Sequence, residues 1–139
     1  MRRALIGNVS CMTEHAVTVV VEALRRFEKR DADAVAARFA PGGVFIDPHY
    51  PPPTGPAIIG REAIRDAVAA MFGFIQQPGF AVRHTFEGVD NPVAAVEVDT
   101  HHVLADGSTV DLPQVFVGEI DSDGLLVRLQ SYTPHPPAV

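Results

Sequence analysis

The sequence predicts an α+β domain in which three helices are followed by an antiparallel meander. Three observations lead there. Apolar residues recur at helical spacing through the first half of the chain, and from residue 80 onward apolar and polar residues alternate at period two. Turn-forming clusters separate the alternating runs: Asp90-Asn91-Pro92, Asp106-Gly107-Ser108 and Asp121-Ser122-Asp123-Gly124.

The first helix is expected over residues 13–29, "TEHAVTVVVEALRRFEK", with apolar positions 16, 17, 20, 21, 24 and 27 and Thr13 as N-cap. A second, short helix, "RDADAVAARFA", is expected to stop at Pro41-Gly42-Gly43. Residues 44–47 read as a short strand, and residues 48–56 as a loop stiffened by five prolines. Gly60 opens a third helix, "REAIRDAVAAMFGFI", that ends at Pro78-Gly79. Four strands follow: "FAVRHTFEGV", "VAAVEVDTHHVLA", "STVDLPQVFVGEI" and "LLVRLQSYT". Residues 1–12 read as a loose extension, 13–134 as one domain and 135–139 as a tail.

Charge narrows the partners. The net charge is −6, and no basic run interleaves with aromatics, which argues against nucleic acid and anionic membrane. No stretch approaches the ~20 apolar residues of a membrane span. The apolar run near the start is too short for a secretory signal, and Cys11 is the single cysteine, so a cytoplasmic setting is expected.

Laid out in this order, Phe39-Ala40 leading into Asp47-Pro48, then "GREAI", then Asp123-Gly124 before a last strand ending in Tyr132 resemble the nuclear-transport-factor-2-like superfamily. That superfamily includes ketosteroid isomerase, limonene epoxide hydrolase and the SnoaL-like polyketide cyclases. The resemblance covers about residues 15 to 134. It implies a strongly curved, mostly antiparallel sheet wrapped around three helices and enclosing a cone-shaped, largely apolar pocket. The superfamily hosts both enzymes and pure binding modules, so the fold by itself assigns no reaction.

The resemblance marks Asp47 as the carboxylate that shuttles a proton next to a carbonyl in isomerase-like members. Such chemistry also needs donors for the developing enolate. The two positions that hold those donors in ketosteroid isomerase read Ala23 and Phe116 here, which speaks against steroid-type isomerisation. The residues allow a second account of Asp47, in which Asp-Pro merely begins a turn. Asp99 matches the water-activating aspartate of limonene epoxide hydrolase, but the companion positions read Glu97 and Ser131, which disfavours a standard epoxide hydrolase.

Period-two geometry places Glu97, Asp99, His101 and Val103 on one face of their strand, and the resemblance makes that the pocket face. Val96, Val98, Thr100 and His102 are then expected to point away. Asp47, Asp99 and His101 form the candidate acid/base set. Phe45, His49, Tyr50, Phe72, Glu97, Gln114, Phe116 and Ser131 are the candidate pocket lining. Cross-strand pairing of Glu97 with Arg83 is the alternative for that face, and surface exposure the alternative for His49 and Tyr50. Adjacent strand residues face opposite sides, so His101 and His102 do not readily share a metal, and no metal or other cofactor is expected.

Two functions fit. One is a cofactor-independent acid/base enzyme (isomerase, cyclase or hydrolase) acting on an apolar oxygenated molecule such as a polyketide or terpenoid. The other is a noncatalytic binding or dimerisation module. The outer side of the sheet, expected to carry Val96, Val98, Val115, Val117 and Leu126, is the expected homodimer surface.

Overall fold

The computed structural model describes residues 15–134, so the Thr13 cap, Cys11, the N-terminal extension and the C-terminal tail lie outside the described residues. The elements in order are α1 (Ala16–Glu28), α2 (Ala32–Ala36), β1 (Phe39–Ile46), β2 (Ala57–Ile59), α3 (Arg61–Met71), β3 (Ile75–Gln77), β4 (Phe80–Glu87), β5 (Val93–Leu104), β6 (Thr109–Ile120) and β7 (Leu126–Tyr132). Three helices and a seven-stranded, mostly antiparallel sheet are the α+β architecture that the sequence predicts. The sheet order is β2-β1-β7-β6-β5-β3, with β4 also paired to β5 and only β1–β7 parallel.

Helix α1 contains the β-branched run Val17 to Val21, a poor intrinsic helix former. Tertiary burial decides it: Ala16, Val19, Val20, Ala23 and Leu24 are buried against the sheet. Its first turn lacks a side-chain N-cap of its own, and Glu87 of β4 instead accepts the Val17 N–H at 2.9 Å. The helix crosses β6 where residue 118 has no side chain. A Cβ on Gly118 would stand 2.4 Å from Val20 Cγ2.

Three boundaries differ from the sequence reading. Helix α2 is capped by Asp31, whose side chain accepts the Ala34 N–H at 3.0 Å, and it ends before Phe39. Pro41-Gly42-Gly43 does not end a helix but lies within β1, at a register shift in its pairing with β7. Residues 57–59, between the expected proline loop and the third helix, pair with β1 (Phe45 with Ile58), so the proline loop is the tip of a hairpin. Helix α3 stops at Met71, and Ile75–Gln77 extends the edge of β5 instead.

The largest correction concerns which face of β5 is buried. Ala94, Val96, Val98, Thr100 and His102 point inward, and Glu97, Asp99 and His101 point outward, the reverse of the expectation. The strand chooses the phase that buries Ala94, Val96 and Val98 beneath α1. The opposite phase would bury the two carboxylates Glu97 and Asp99, and a one-residue change of phase exchanges every side chain at once. Register fixes the choice: Val96 lies opposite Phe116 and Val98 opposite Gln114 on β6. The expected apolar outer strip is corrected in the same way. Val96, Val98 and Leu126 are fully buried, whereas Val115 and Val117 lie on the outer side, near exposed Phe86 and Tyr132.

Candidate functional site

Between the inner face of the sheet and the helices lies a cavity of about 220 Å³. Its inner walls are apolar: Ala23 and Leu24 of α1, Phe39 and Phe45 of β1, Phe116 of β6 and Leu129 of β7. The lining residues that reach solvent, Phe74, His49, Leu104 and Val110, mark its mouth. Six polar side chains face this apolar space in two groups: Asp47, His49 and Tyr50 from the β1–β2 hairpin, and Thr100, His102 and Gln114 from β5 and β6.

The hairpin builds the first group. The Asp47 N–H bonds the Pro56 carbonyl at 2.9 Å, and the Asp47 carbonyl accepts the Tyr50 N–H at 3.2 Å. Asp47 Oδ1 accepts the His49 N–H at 2.8 Å and lies 2.8 Å from His49 Nδ1. Asp47 therefore organises its turn and lines the cavity at once, with only 7% of its surface exposed. Its Oδ2 has no protein partner among the described residues. The side-chain hydrogen bond that His49 makes to Asp47, opposed by partial burial and helped by the charge of Asp47, raises the His49 pKa.

Tyr50 is buried rather than surface-exposed, with its ring edge-on to Phe45 at 5.5 Å. Burial foremost, then the charge of Asp47, pushes its phenol far above the ordinary tyrosine value, so it stays a protonated donor. Its hydroxyl has no partner among the described residues.

The second group sits along β5 and β6. Thr100 Oγ1 donates to Gln114 Oε1, and Gln114 Nε2 donates to Ser131 Oγ at 2.9 Å, a buried chain that holds the Gln114 amide against the cavity wall. His102 accepts the Gly79 N–H at Nδ1, 3.1 Å away. Burial lowers its pKa most, and His49 and His101 push the same way. The His101 carbonyl and Asp47 oppose them.

Of the predicted site residues, Phe45, Asp47, His49, Tyr50, Gln114 and Phe116 are brought to the cavity. Ser131 stands behind Gln114. Phe72 packs instead on Phe27, centroids 4.9 Å apart, with the Arg30 guanidinium over its ring. Glu97, Asp99 and His101 are on the outer face. Glu97 pairs with His84 at 2.6 Å, Asp99 with Arg83 at 3.5 Å, and His101 with Asp111. The catalytic roles expected for Asp99 and His101 are corrected accordingly, because neither reaches the cavity. Arg83 is the partner of Asp99, and Glu97 bonds His84.

His102 and Thr100 are polar cavity residues that the sequence placed on the opposite face. The signal was the alternation itself, since the phase that contains Ala94, Val96 and Val98 carries them inward too. Among the described residues no three histidine, cysteine or acidic side chains converge as a metal-ligand set. Ala23 and Phe116, at the two donor positions of ketosteroid isomerase named above, both line the cavity.

Among the described residues no helix is long and apolar enough to cross a membrane. No curated protein sequence gives a significant match. Several solved structures share the fold. A Burkholderia pseudomallei NTF2-like protein of unknown function superposes with a TM-score of 0.73 at 19% identity, covering 87% of this chain and 92% of that one. A Mycobacterium tuberculosis protein in complex with estradiol-17β-hemisuccinate gives 0.73 at 20% identity, covering 86% and 94%. The Δ5-3-ketosteroid isomerase of a Mycobacterium species gives 0.72 at 20% identity, covering 86% and 93%. At such identities the likeness concerns the fold. A profile of the SnoaL-like domain matches residues 20–129, which is most of the chain, and the protein belongs to the SnoaL-like domain family.

Proposed function

We propose that the protein is a cofactor-independent acid/base enzyme that moves a proton on a carbon next to a carbonyl in a small, apolar, oxygenated molecule. The observation that carries this reading is the state of Asp47. One of its oxygens is held by His49, the other is uncommitted, and the carboxylate lines a cavity with otherwise mostly apolar walls. In the reaction, Asp47 Oδ2 takes the proton from the substrate carbon and the C–H electron pair moves onto the carbonyl oxygen as an enolate. The Tyr50 hydroxyl is a donor suited to that oxygen. The proton then returns to the same or a conjugated carbon, and His49, half exposed at the mouth, exchanges protons with water.

Volume limits the substrate. An apolar cavity of ~150 Å³ accepts a benzene-sized molecule and common ligand pockets begin near ~300 Å³. At about 220 Å³ this cavity suits one or two rings better than a four-ring steroid. A panel of one- and two-ring cyclic ketones in D₂O tests the reading, with NMR following deuterium uptake at the α-carbon. Uptake well above the buffer rate is expected for at least one ketone that fits. Ketones that bind without any acceleration would contradict catalysis.

That outcome would favour the second reading, a binding module in which Asp47 serves its turn, and the bond from the His49 N–H to Asp47 Oδ1 is the observation on its side. A homodimer through the outer face is also proposed, now centred on Phe86, Val115, Val117 and Tyr132. Light scattering at micromolar concentration should give twice the monomer mass, and a monomer that persists on concentration would refute it.

A further inference from the structure

His102 lies on the cavity side of β5, its ring edge-on to Phe80 with centroids 5.2 Å apart and tilted against Phe27 at 6.2 Å. The Gly79 N–H donates to its Nδ1. A ring nitrogen that accepts a hydrogen bond carries no proton, so in the neutral ring the proton is on Nε2. The donor is itself anchored to β5. The His101 N–H bonds the Gly79 carbonyl at 2.9 Å, and a Cβ at residue 79 would stand 2.7 Å from the His101 carbonyl oxygen. Residue 79 is thus held close to the strand by the backbone beside His102, and the ring has one orientation in which Nδ1 is used.

Nε2 has no partner among the described residues, and the side chain lines the cavity. Burial, the largest influence, lowers its pKa, and Asp47 and His49 line the same cavity. An uncharged N–H in a fixed direction inside an apolar cavity is a hydrogen-bond donor whose loss cannot be made good by water without cost. The three-residue run His101, His102 and Val103 therefore contributes a single inward polar group, and its polarity is set by Gly79 in the link between β3 and β4.

We propose that His102 reads an acceptor oxygen of the ligand: its Nε2–H, oriented by the Gly79 bond to Nδ1, donates to a carbonyl of the bound molecule and selects carbonyl-bearing ligands over hydrocarbons of the same shape. The proposal rests on the cavity being the ligand site, as in the function proposed above, but not on proton transfer by Asp47. It deepens that reading by giving the substrate a requirement for an acceptor oxygen facing β5, in addition to the apolar body that the walls demand.

The matched probes are 1-tetralone and tetralin, two fused rings with and without a carbonyl. Their Kd values are measured by NMR titration for wild type, His102→Phe and Asp99→Asn. Water favours the ketone over the hydrocarbon in every case, so the ratio of the two Kd values is what reports on the protein. On His102→Phe the ratio of the tetralone Kd to the tetralin Kd is expected to rise about tenfold, in line with the loss of one buried hydrogen bond. Tetralin itself should bind within about twofold of wild type, which also shows that the variant is folded. On Asp99→Asn, whose side chain is on the outer face, the ratio should stay unchanged, and because a Kd is read without turnover, a failure of the proton-transfer reading leaves this one standing.

Independently of any variant, long-range ¹H–¹⁵N spectra of the wild type at pH 7 should report His102 as the Nε2–H tautomer. Its Nε2 resonance should move on adding tetralone and not on adding tetralin. An Nδ1–H tautomer, a charged His102 ring at pH 7, or a Kd ratio that does not change in His102→Phe would overturn the proposal.

Discussion

His101 and His102 are neighbours in sequence and opposites in environment. His101 is exposed on the outer face of the sheet and bonded to Asp111 across the β5–β6 hairpin. His102 is buried on the inner face among Phe27, Phe80 and the cavity. The same contrast runs along both strands. Outside are His84–Glu97 and Arg83–Asp99, exposed pairs of the kind that stabilise little. Inside are Val96, Val98, Phe116 and the Thr100–Gln114–Ser131 chain. Residue type does not distinguish the two histidines. Their places in the alternation do, and those are set by what else in the strand must be buried.

The widest gap between the faces should appear in stability. Phe116→Ala removes a buried ring that touches Phe80 and is expected to cost about 3–5 kcal/mol, read as a lower midpoint in urea. Val117→Ala, one residue on and outward, should cost under ~1 kcal/mol. Equal losses at the two positions would mean that the assigned faces are wrong.

A comparison of the two cavity histidines sharpens the picture through pH. The His49 pKa is raised in the folded protein. Its contribution is therefore complete below the unfolded value near ~6.5 and is lost as pH rises through the folded value. The His102 pKa is lowered, so the unfolded chain takes up the proton first. Its effect is to reduce stability as pH falls below ~6.5. Melting curves of His49→Ala should lose part of the wild-type decline on the alkaline side, and those of His102→Phe part of the decline on the acid side. The same sign in both variants would break the comparison.

The smallest effect is expected on the outer face. Asp99→Asn weakens only a half-exposed contact with Arg83 and should change stability by under ~0.5 kcal/mol in chemical denaturation. A larger loss would mean that the outer pairs hold the sheet together.

Much of the architecture was legible in the residues. The spacing of Ala16, Val20 and Leu24 specified a helix with one buried face, and the turn clusters at 90–92, 106–108 and 121–124 each fall between strands. Asp47 stood out because a carboxylate between a strand and a proline loop either begins a turn or enters a cavity, and here it does both. The phase of β5 was not legible in the same way, because both alternating sets contain a histidine and both contain apolar residues. Only the pairing with Phe116 and Gln114, and the helix laid over Val96 and Val98, breaks that tie. The β1–β2 hairpin was hidden for a related reason. Ala57–Ile59 is too short to show a period, and it becomes a strand only because β1 offers it an edge.

The central claim is that the inward carboxylate Asp47, and not the outward carboxylate Asp99, belongs to the working site. Its most direct test is the rate of α-deuterium exchange into 1-tetralone, or into the best ketone of the panel, for Asp47→Asn and Asp99→Asn measured side by side. The account predicts a fall of at least about 100-fold for Asp47→Asn, as for loss of a positioned general base, and a rate within about twofold of wild type for Asp99→Asn. Equal rates in the two variants, or a loss confined to Asp99→Asn, would contradict it.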